Sequence, residues 1–236
     1  MVRAIVNCKF PDEAVKLLND YGFDTVLMPE AEYLAEPMST HPDMLIFVGF
    51  SSIVCHEYYY KCNKLLIDKI AYEHSLELIV SREEISQSYP LDARFNACVV
   101  GNSLLCNTKH ISKHILDAAT KRGANIIHVN QGYTKCSTLV VDNESIVTSD
   151  VGIHNAAQTS SINSLLISVG NVALEPYEYG FIGGASGTLG DTVYFCGNLD
   201  LHPDKEKIIS FISDCGKKCV FLPFKKLTDM GSILFV

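Results

Sequence analysis

The apolar positions of the chain fall into short runs that return in a fixed order. Four of them read alike: SIVCH from Ser52, SLLCN from Ser103, SIVTS from Ser145 and VYFCG from Val193. Their fourth residues, Cys55, Cys106, Thr148 and Cys196, are 51, 42 and 48 residues apart, a spacing typical of repeat architectures. Another apolar run precedes each one across a turn signal: MLIFV before Gly49-Phe50-Ser51, ACVV before Gly101-Asn102, TLVV before Asp142-Asn143-Glu144, and GTL before Gly190-Asp191. Short apolar runs split in this way predict β-hairpins. The period then becomes helical. Leu65, Leu66, Ile70 and Tyr72 recur along YYYKCNKLLIDKIAYEHS, as do Ile111, Ile115, Leu116 and Ala119 along HISKHILDAATKRG. HPDKEKIISFISDCG opens on Pro203 and stops at Gly216, and VGIHNAAQTSS is the weakest of the four helices. A third strand follows each helix: LELIVS, ANIIHVN, SLLISVG and KCVFLPF. The repeating unit is therefore strand, turn, strand, helix, strand.

The two ends complete this pattern. RAIVN, PDEAVKLLNDYG and DTVLMP make a strand, a helix and a strand, which is one unit lacking its first strand. The C-terminal SILFV supplies that missing strand. Pairing the last strand with the first closes a ring of five units and leaves no open edge at either end. The expectation is a single α/β domain spanning 1–236, a five-bladed ββαβ propeller whose fifth unit is 229–236 plus 1–30. The alternative is an ordinary layered α/β protein whose strands resemble one another incidentally; the complementary ends favour the ring.

Composition narrows the functional classes. The 236 residues are 47% hydrophobic and 19% charged, enough for a substantial core. The net charge of −8, with no basic cluster, argues against a nucleic-acid partner. No apolar run approaches a membrane span, and the N-terminal stretch reaches Pro11 and acidic residues too early for a signal peptide, so a cytoplasmic protein is expected. The nine cysteines, an odd number without paired C-x-x-C spacing, suit neither a disulfide framework nor a structural zinc site. Most sit within apolar runs as small hydrophobes. No cofactor or metal is implied. There is no phosphate-binding G-x-x-x-x-G-K-[ST] loop, GFIGGASG lacks the strand–turn–helix setting of a dinucleotide site, and His110 and His114 have no acid at ligand spacing. Nothing in the pattern specifies an oligomeric state.

Five ββαβ units closed by the chain ends resemble the pentein, or guanidine-modifying-enzyme, superfamily. It includes arginine and agmatine deiminases, dimethylarginine dimethylaminohydrolase and amidinotransferases, as well as a non-enzymatic ribosome anti-association factor. HPDM (41–44), QGYTKCST (131–138), TSDVGI (148–153), YGFIGG (179–184), GNLD (197–200) and DMGSILF (229–235) are similar to an uncharacterised, mainly clostridial family with this fold. That resemblance implies a fold and a set of mechanisms rather than a substrate.

In a ring of such units, the loops leading into each hairpin gather at one end of the axis. They hold His41, Asp43, Asp92, Arg94, Tyr133, Lys135, Cys136, Asp229 and Ser232. His41-Pro-Asp43 resembles the His-x-Asp of hydrolytic penteins, which implies that His41 moves protons and Asp43 orients or binds. Guanidine chemistry also needs a nucleophilic thiolate and carboxylates to hold a planar cation. The enzymes carry that cysteine in the last unit, whereas TDMGSILFV has none. Cys136 occupies the equivalent loop two units after His41, so a one-step rotation around the ring would preserve the pairing. Lys135 beside it is expected to lower the thiol pKa. Cys136, His41 and Asp43 are thus the catalytic candidates, and Asp92, Arg94, Lys135, Asp229 and Ser232 the candidates for binding a small, cationic substrate. Each has a plainer reading: His41 as a turn residue capping neighbouring backbone, Cys136 as packing, the aspartates as solvated acids or turn caps. Asp150 and Asp200 are expected to cap helices or turns at the opposite end. The leading expectation is a thiol-dependent hydrolase or amidinotransferase acting on a guanidine or amidine. The rival is a non-catalytic binding protein with a degenerate site, which the missing terminal cysteine favours.

Overall fold

The computed structural model describes all 236 residues. The strands form where β-branched and aliphatic residues cluster between turns. The first sheet holds β1 (Arg3–Asn7) and β2 (Asp24–Met28), parallel across the helix Asp12–Asp20. Four further sheets repeat one plan, an antiparallel hairpin followed by a parallel third strand. They are β3 (Ile46–Gly49), β4 (Ser52–His56) and β5 (Glu77–Ser81); β6 (Cys98–Val100), β7 (Ser103–Cys106) and β8 (Asn125–His128); β9 (Thr138–Val140), β10 (Ser145–Thr148) and β11 (Asn163–Leu166); and β12 (Ser186–Leu189), β13 (Thr192–Phe195) and β14 (Lys218–Phe221). The chain ends on β15 (Leu234–Phe235), antiparallel to β1 in the register Ala4↔Phe235 and Ile5↔Leu234. The terminal strand therefore completes the first sheet. It is shorter than SILFV because Ser232 has a left-handed backbone (φ +68°) and Ile233 donates instead to Ser186 of β12.

The five sheets share no hydrogen-bonded ladder; side chains join them. One buried cluster packs Ile5 of β1 against Ile46 of β3, and another Val54 of β4 against Leu104 of β7. A third unites Leu105 with Ile146, a fourth Val147 with Val193, and the last Tyr194 of β13 with Ala4 of β1. Cys55, Cys98, Cys106 and Cys196 are fully buried within these clusters, and all nine thiols are unpaired.

Three local features differ from the expected pattern. The long helical stretch after β4 is two helices, Glu57–Cys62 and Lys64–Glu73, broken at Asn63, whose side chain bonds the Tyr59 carbonyl. HPDML, read as a loop running into the strand MLIFV, contains a four-residue helix Pro42–Leu45 that opens on proline, where a missing N–H costs nothing. Asp150 does cap its helix by accepting from Ile153, but Asp200 caps none and instead pairs with Lys205. No helix is long and apolar enough to cross a membrane.

Candidate active site

Four segments, the loops at Cys136, Gly184 and Gly231 and the turn Pro42–Leu45, lock one another through main-chain bonds. The Gly184 N–H donates to the Cys136 carbonyl, and the Gly184 carbonyl accepts from both Met230 and Ser232. The Asp43 N–H donates to the Gly231 carbonyl, tying the Pro42–Leu45 turn to the last loop. Gly231 has φ +73°, and a methyl group there would strike the Cα and Cβ of His41. A methyl at Gly184 would collide with the Asp229 carboxylate. The glycines thus permit an approach that any side chain would block.

This crossing brings His41, Asp43 and Cys136 together, with ring nitrogen, carboxylate oxygen and sulfur all within 4.8 Å of one another. The Cys136 S–H donates to Asp43 Oδ2 at 3.1 Å, and the Ser232 hydroxyl donates to the same oxygen at 2.6 Å. Lys135 Nζ donates to Ser232 Oγ at 2.9 Å. Asp43 Oδ1 is buried without a partner. Asn96, which is fully buried, fixes the thiol from the other side. Its Nδ2 donates to Cys136 Sγ (3.0 Å) and to the Asp43 carbonyl (3.1 Å), while its Oδ1 accepts the backbone N–H groups of Lys135 and Cys136. Asp229 accepts from Phe181 and Gly231 N–H, and its Oδ1 lies 3.8 Å from His41 Nδ1.

Burial governs the charges. It raises the Cys136 thiol well above its ordinary pKa, and the carboxylates of Asp43 and Asp229 push it further. The expected net lowering by Lys135, whose ammonium bonds Ser232, is not found, because burial and the two carboxylates outweigh it. Burial lowers the pKa of His41, which is neutral at pH 7, and raises that of Asp43. Asp229 is pushed up to about 6, chiefly by burial, although both backbone N–H bonds oppose the rise. At neutral pH the constellation holds a protonated thiol, a neutral imidazole and an ionised Asp229, and the Lys135 ammonium eases but does not cancel the cost of burying the two carboxylates.

Two cavities flank this group. One, of about 310 Å³, is lined by His41, Cys136 and Asp229 and walled by Tyr133, Tyr177, Tyr179 and Phe181, with Met38, Met44, Leu174 and Glu178 completing it. The other, of about 340 Å³, is lined by residues of β3, β6, β9, β12 and β15 together with Asp43 and Lys135. Asp43, Lys135 and Ser232 therefore support the thiol from behind. Asp92 stops one residue short: its Oδ2 accepts the Tyr133 hydroxyl at 2.7 Å, so it holds the ring that reaches the cavity. Arg94 lies outside the group. Its guanidinium binds the carbonyls of Glu84 and His110, which makes it a brace for those loops rather than a cavity residue. Asn96 and, of the aromatic wall, Tyr177, Tyr179 and Phe181 escaped the sequence reading. FNA before a strand carries no chemical signal, although the alternating aromatics of YEYGF next to two glycines are a visible one. His41, Asp43 and Cys136 are also the residues that could hold a metal ion, since a nitrogen, an oxygen and a thiolate together suit a borderline divalent cation such as zinc.

The model of a family described as Family of unknown function (DUF6873) matches residues 5–234. The chain belongs to that family. No curated protein matches its sequence. Among solved structures, this DUF6873 member is similar to dimethylarginine dimethylaminohydrolase from Pseudomonas aeruginosa, solved as a cysteine-to-serine variant with citrulline. The TM-score is 0.57 at 9% identity, covering 94% of this chain and 91% of that one. It is similar also to SxtG, an amidinotransferase from Microseira wollei in the saxitoxin biosynthetic pathway, with TM-score 0.55, 11% identity, and 91% and 77% coverage. The N-terminal domain of ArgZ, covalently bonded to a reaction intermediate, gives TM-score 0.55 at 8% identity with 94% and 91% coverage. These neighbours are pentein enzymes, and at such identities the likeness shows the fold alone.

Proposed function

We propose that this DUF6873 protein is a thiol-dependent enzyme, a hydrolase or amidinotransferase acting on a small guanidinium or amidinium compound. The observation that carries the reading is the meeting of Cys136, His41 and Asp43 at the wall of an aromatic, anionic cavity. The rival reading, a binding protein with a dead site, drew on the absence of a cysteine from 229–236. The constellation around Cys136 supports the enzymatic reading instead.

The architecture we read is a five-bladed propeller formed by 1–236 as one domain. Support comes from the five clusters, which link each sheet to the next and the last to the first, and from the cavity lined by all five leading strands.

The chemistry follows from the charges. A planar cation entering the cavity places its N–H groups on Asp229, and its positive charge supplies what the buried thiol lacks. The thiolate becomes accessible only then. Cys136 Sγ attacks the amidinium carbon as the thiol proton passes to His41, while Asp43 aligns the sulfur. The imidazolium returns that proton to the departing amine, and the carbon remains as an S-amidino group on Cys136. Water, deprotonated by His41, then releases a urea from a guanidinium substrate, or an amide from an amidinium, and regenerates the thiol; an acceptor amine in place of water gives amidino transfer. The hydrolytic sum is guanidinium plus water to urea plus ammonium.

The test is a screen of guanidines, amidines and amino acids by thermal shift and by product formation. A binding cation stabilises the fold by mass action, about 2.7 kcal/mol at a hundredfold excess over Kd. Cys136→Ser should keep the thermal shift and lose all turnover. If only anionic compounds raise the melting temperature, the guanidine reading fails.

A further inference from the structure

The 310 Å³ cavity has a composition that says more than that its ligand is a cation. None of its lining side chains is a lysine or arginine, whereas two, Asp229 and Glu178, are acids. Lys135, next to the thiol in sequence, bonds Ser232 and lines the other cavity. Lys225 and Lys226 line a separate cavity that shares with this one only Glu178. A carboxylate carried by the ligand would therefore find no cationic partner among these side chains and would share the cavity with Glu178.

The aromatic wall gives the complementary half. Tyr133 and Phe181 lie 6.4 Å apart between ring centroids, tilted by 32°, and Tyr179 meets Phe181 edge-on at 6.4 Å. Tyr133 is held by its bond to the buried Asp92. Fixed aromatic faces attract organic cations and pack against alkyl groups. Asp229 is 2% exposed and lies at the reacting end, whereas Glu178 is an exposed residue.

We infer that the site selects a guanidinium or amidinium on an alkyl or aminoalkyl chain and excludes guanidino acids that carry a carboxylate. The inference rests on the functional reading above and narrows it. The buried acid takes the reacting cation, the rings take the chain, and Glu178 takes a distal ammonium where one is present.

The experiment compares three compounds of matched chain length: an alkylguanidine, an aminoalkylguanidine and a guanidino acid. Affinities are measured by calorimetry with Cys136→Ser, so that no turnover intervenes. The aminoalkylguanidine should bind at least as well as the alkylguanidine, and the guanidino acid roughly tenfold or more weakly, the scale of one like-charge encounter at a partly solvated distance. Glu178→Gln should remove the advantage of the ammonium, and Glu178→Lys should bring the guanidino acid up to or past the alkylguanidine. Equal affinity of the alkylguanidine and the guanidino acid for the parent protein would overturn the selectivity while leaving the guanidine reading intact. Binding of none of the three would instead count against that reading. A Glu178→Lys protein that binds all three as its parent does would also overturn the inference, since the charge at this position would then not govern choice.

Discussion

Asp229 is almost fully buried and accepts two backbone N–H groups, yet burial still holds its pKa at about 6. A folded-state value above the unfolded one, near 3.8, means that the folded protein binds the proton more tightly. The stabilisation this gives is complete below about pH 4 and is lost as the pH rises through about 6. The ionised carboxylate at neutral pH then costs on the order of 3 kcal/mol, a cost that a bound cation would relieve. Unfolding free energies measured from pH 4 to 7.5 should therefore fall for the wild type relative to Asp229→Asn, which cannot titrate. Parallel curves for the two proteins would contradict this. Asn96 makes a second claim at this scale. Its Oδ1 is the acceptor for two backbone N–H groups of the Cys136 loop, and orphaning buried donors costs about 1–3 kcal/mol each. Asn96→Ala should lower stability by about 2–4 kcal/mol in denaturant titrations, a loss far beyond that of an ordinary surface change.

Among the elements, the loops rather than the strands define the site, and the glycine crossings make this testable. Gly184→Ala would drive a methyl group into the Asp229 carboxylate, and Gly231→Ala would combine that kind of collision, against His41, with a left-handed backbone. Both should abolish the thermal shift given by a cationic ligand, whereas Gly22→Ala, also left-handed but with open space around it, should leave the shift intact at a modest cost in stability. The strands themselves were legible. SIVCH and its relatives announce hairpins because apolar β-favouring runs and turn residues are both local signals. The helix Pro42–Leu45 was not, since four residues are too few to show a helical period. The roles of Lys135, Asp92 and Arg94 depend on where long side chains find partners after the loops have packed, which sequence neighbourhood does not disclose. Cys136 and His41 could be placed near each other by counting units. That burial would outweigh the adjacent lysine in setting the thiol pKa could not be counted in the same way.

For the molecule as a whole, the last five residues join fold and site. Ser232 bonds Asp43, Ile233 is buried between the first and last sheets, and β15 covers the edge of β1. Deleting 232–236 forfeits several kcal/mol of burial, at about 1.5–3 kcal/mol per large side chain, against a total stability of about 5–15 kcal/mol. The truncated chain should be insoluble or unfolded, and an unchanged melting temperature would remove the propeller reading. The central claim, that a cation in the cavity turns a buried thiol into a nucleophile, is tested most directly by mapping where two alkylating agents react. Native protein is treated at pH 7.5 with neutral iodoacetamide or with cationic chloroacetamidine, and each of the nine cysteines is quantified by peptide mass spectrometry. Iodoacetamide should modify the exposed Cys62 before the protonated, buried Cys136, whereas chloroacetamidine should modify Cys136 first and lose that preference in Asp229→Asn. Chloroacetamidine labelling that follows exposure alone, with Cys136 among the last to react, would contradict the account.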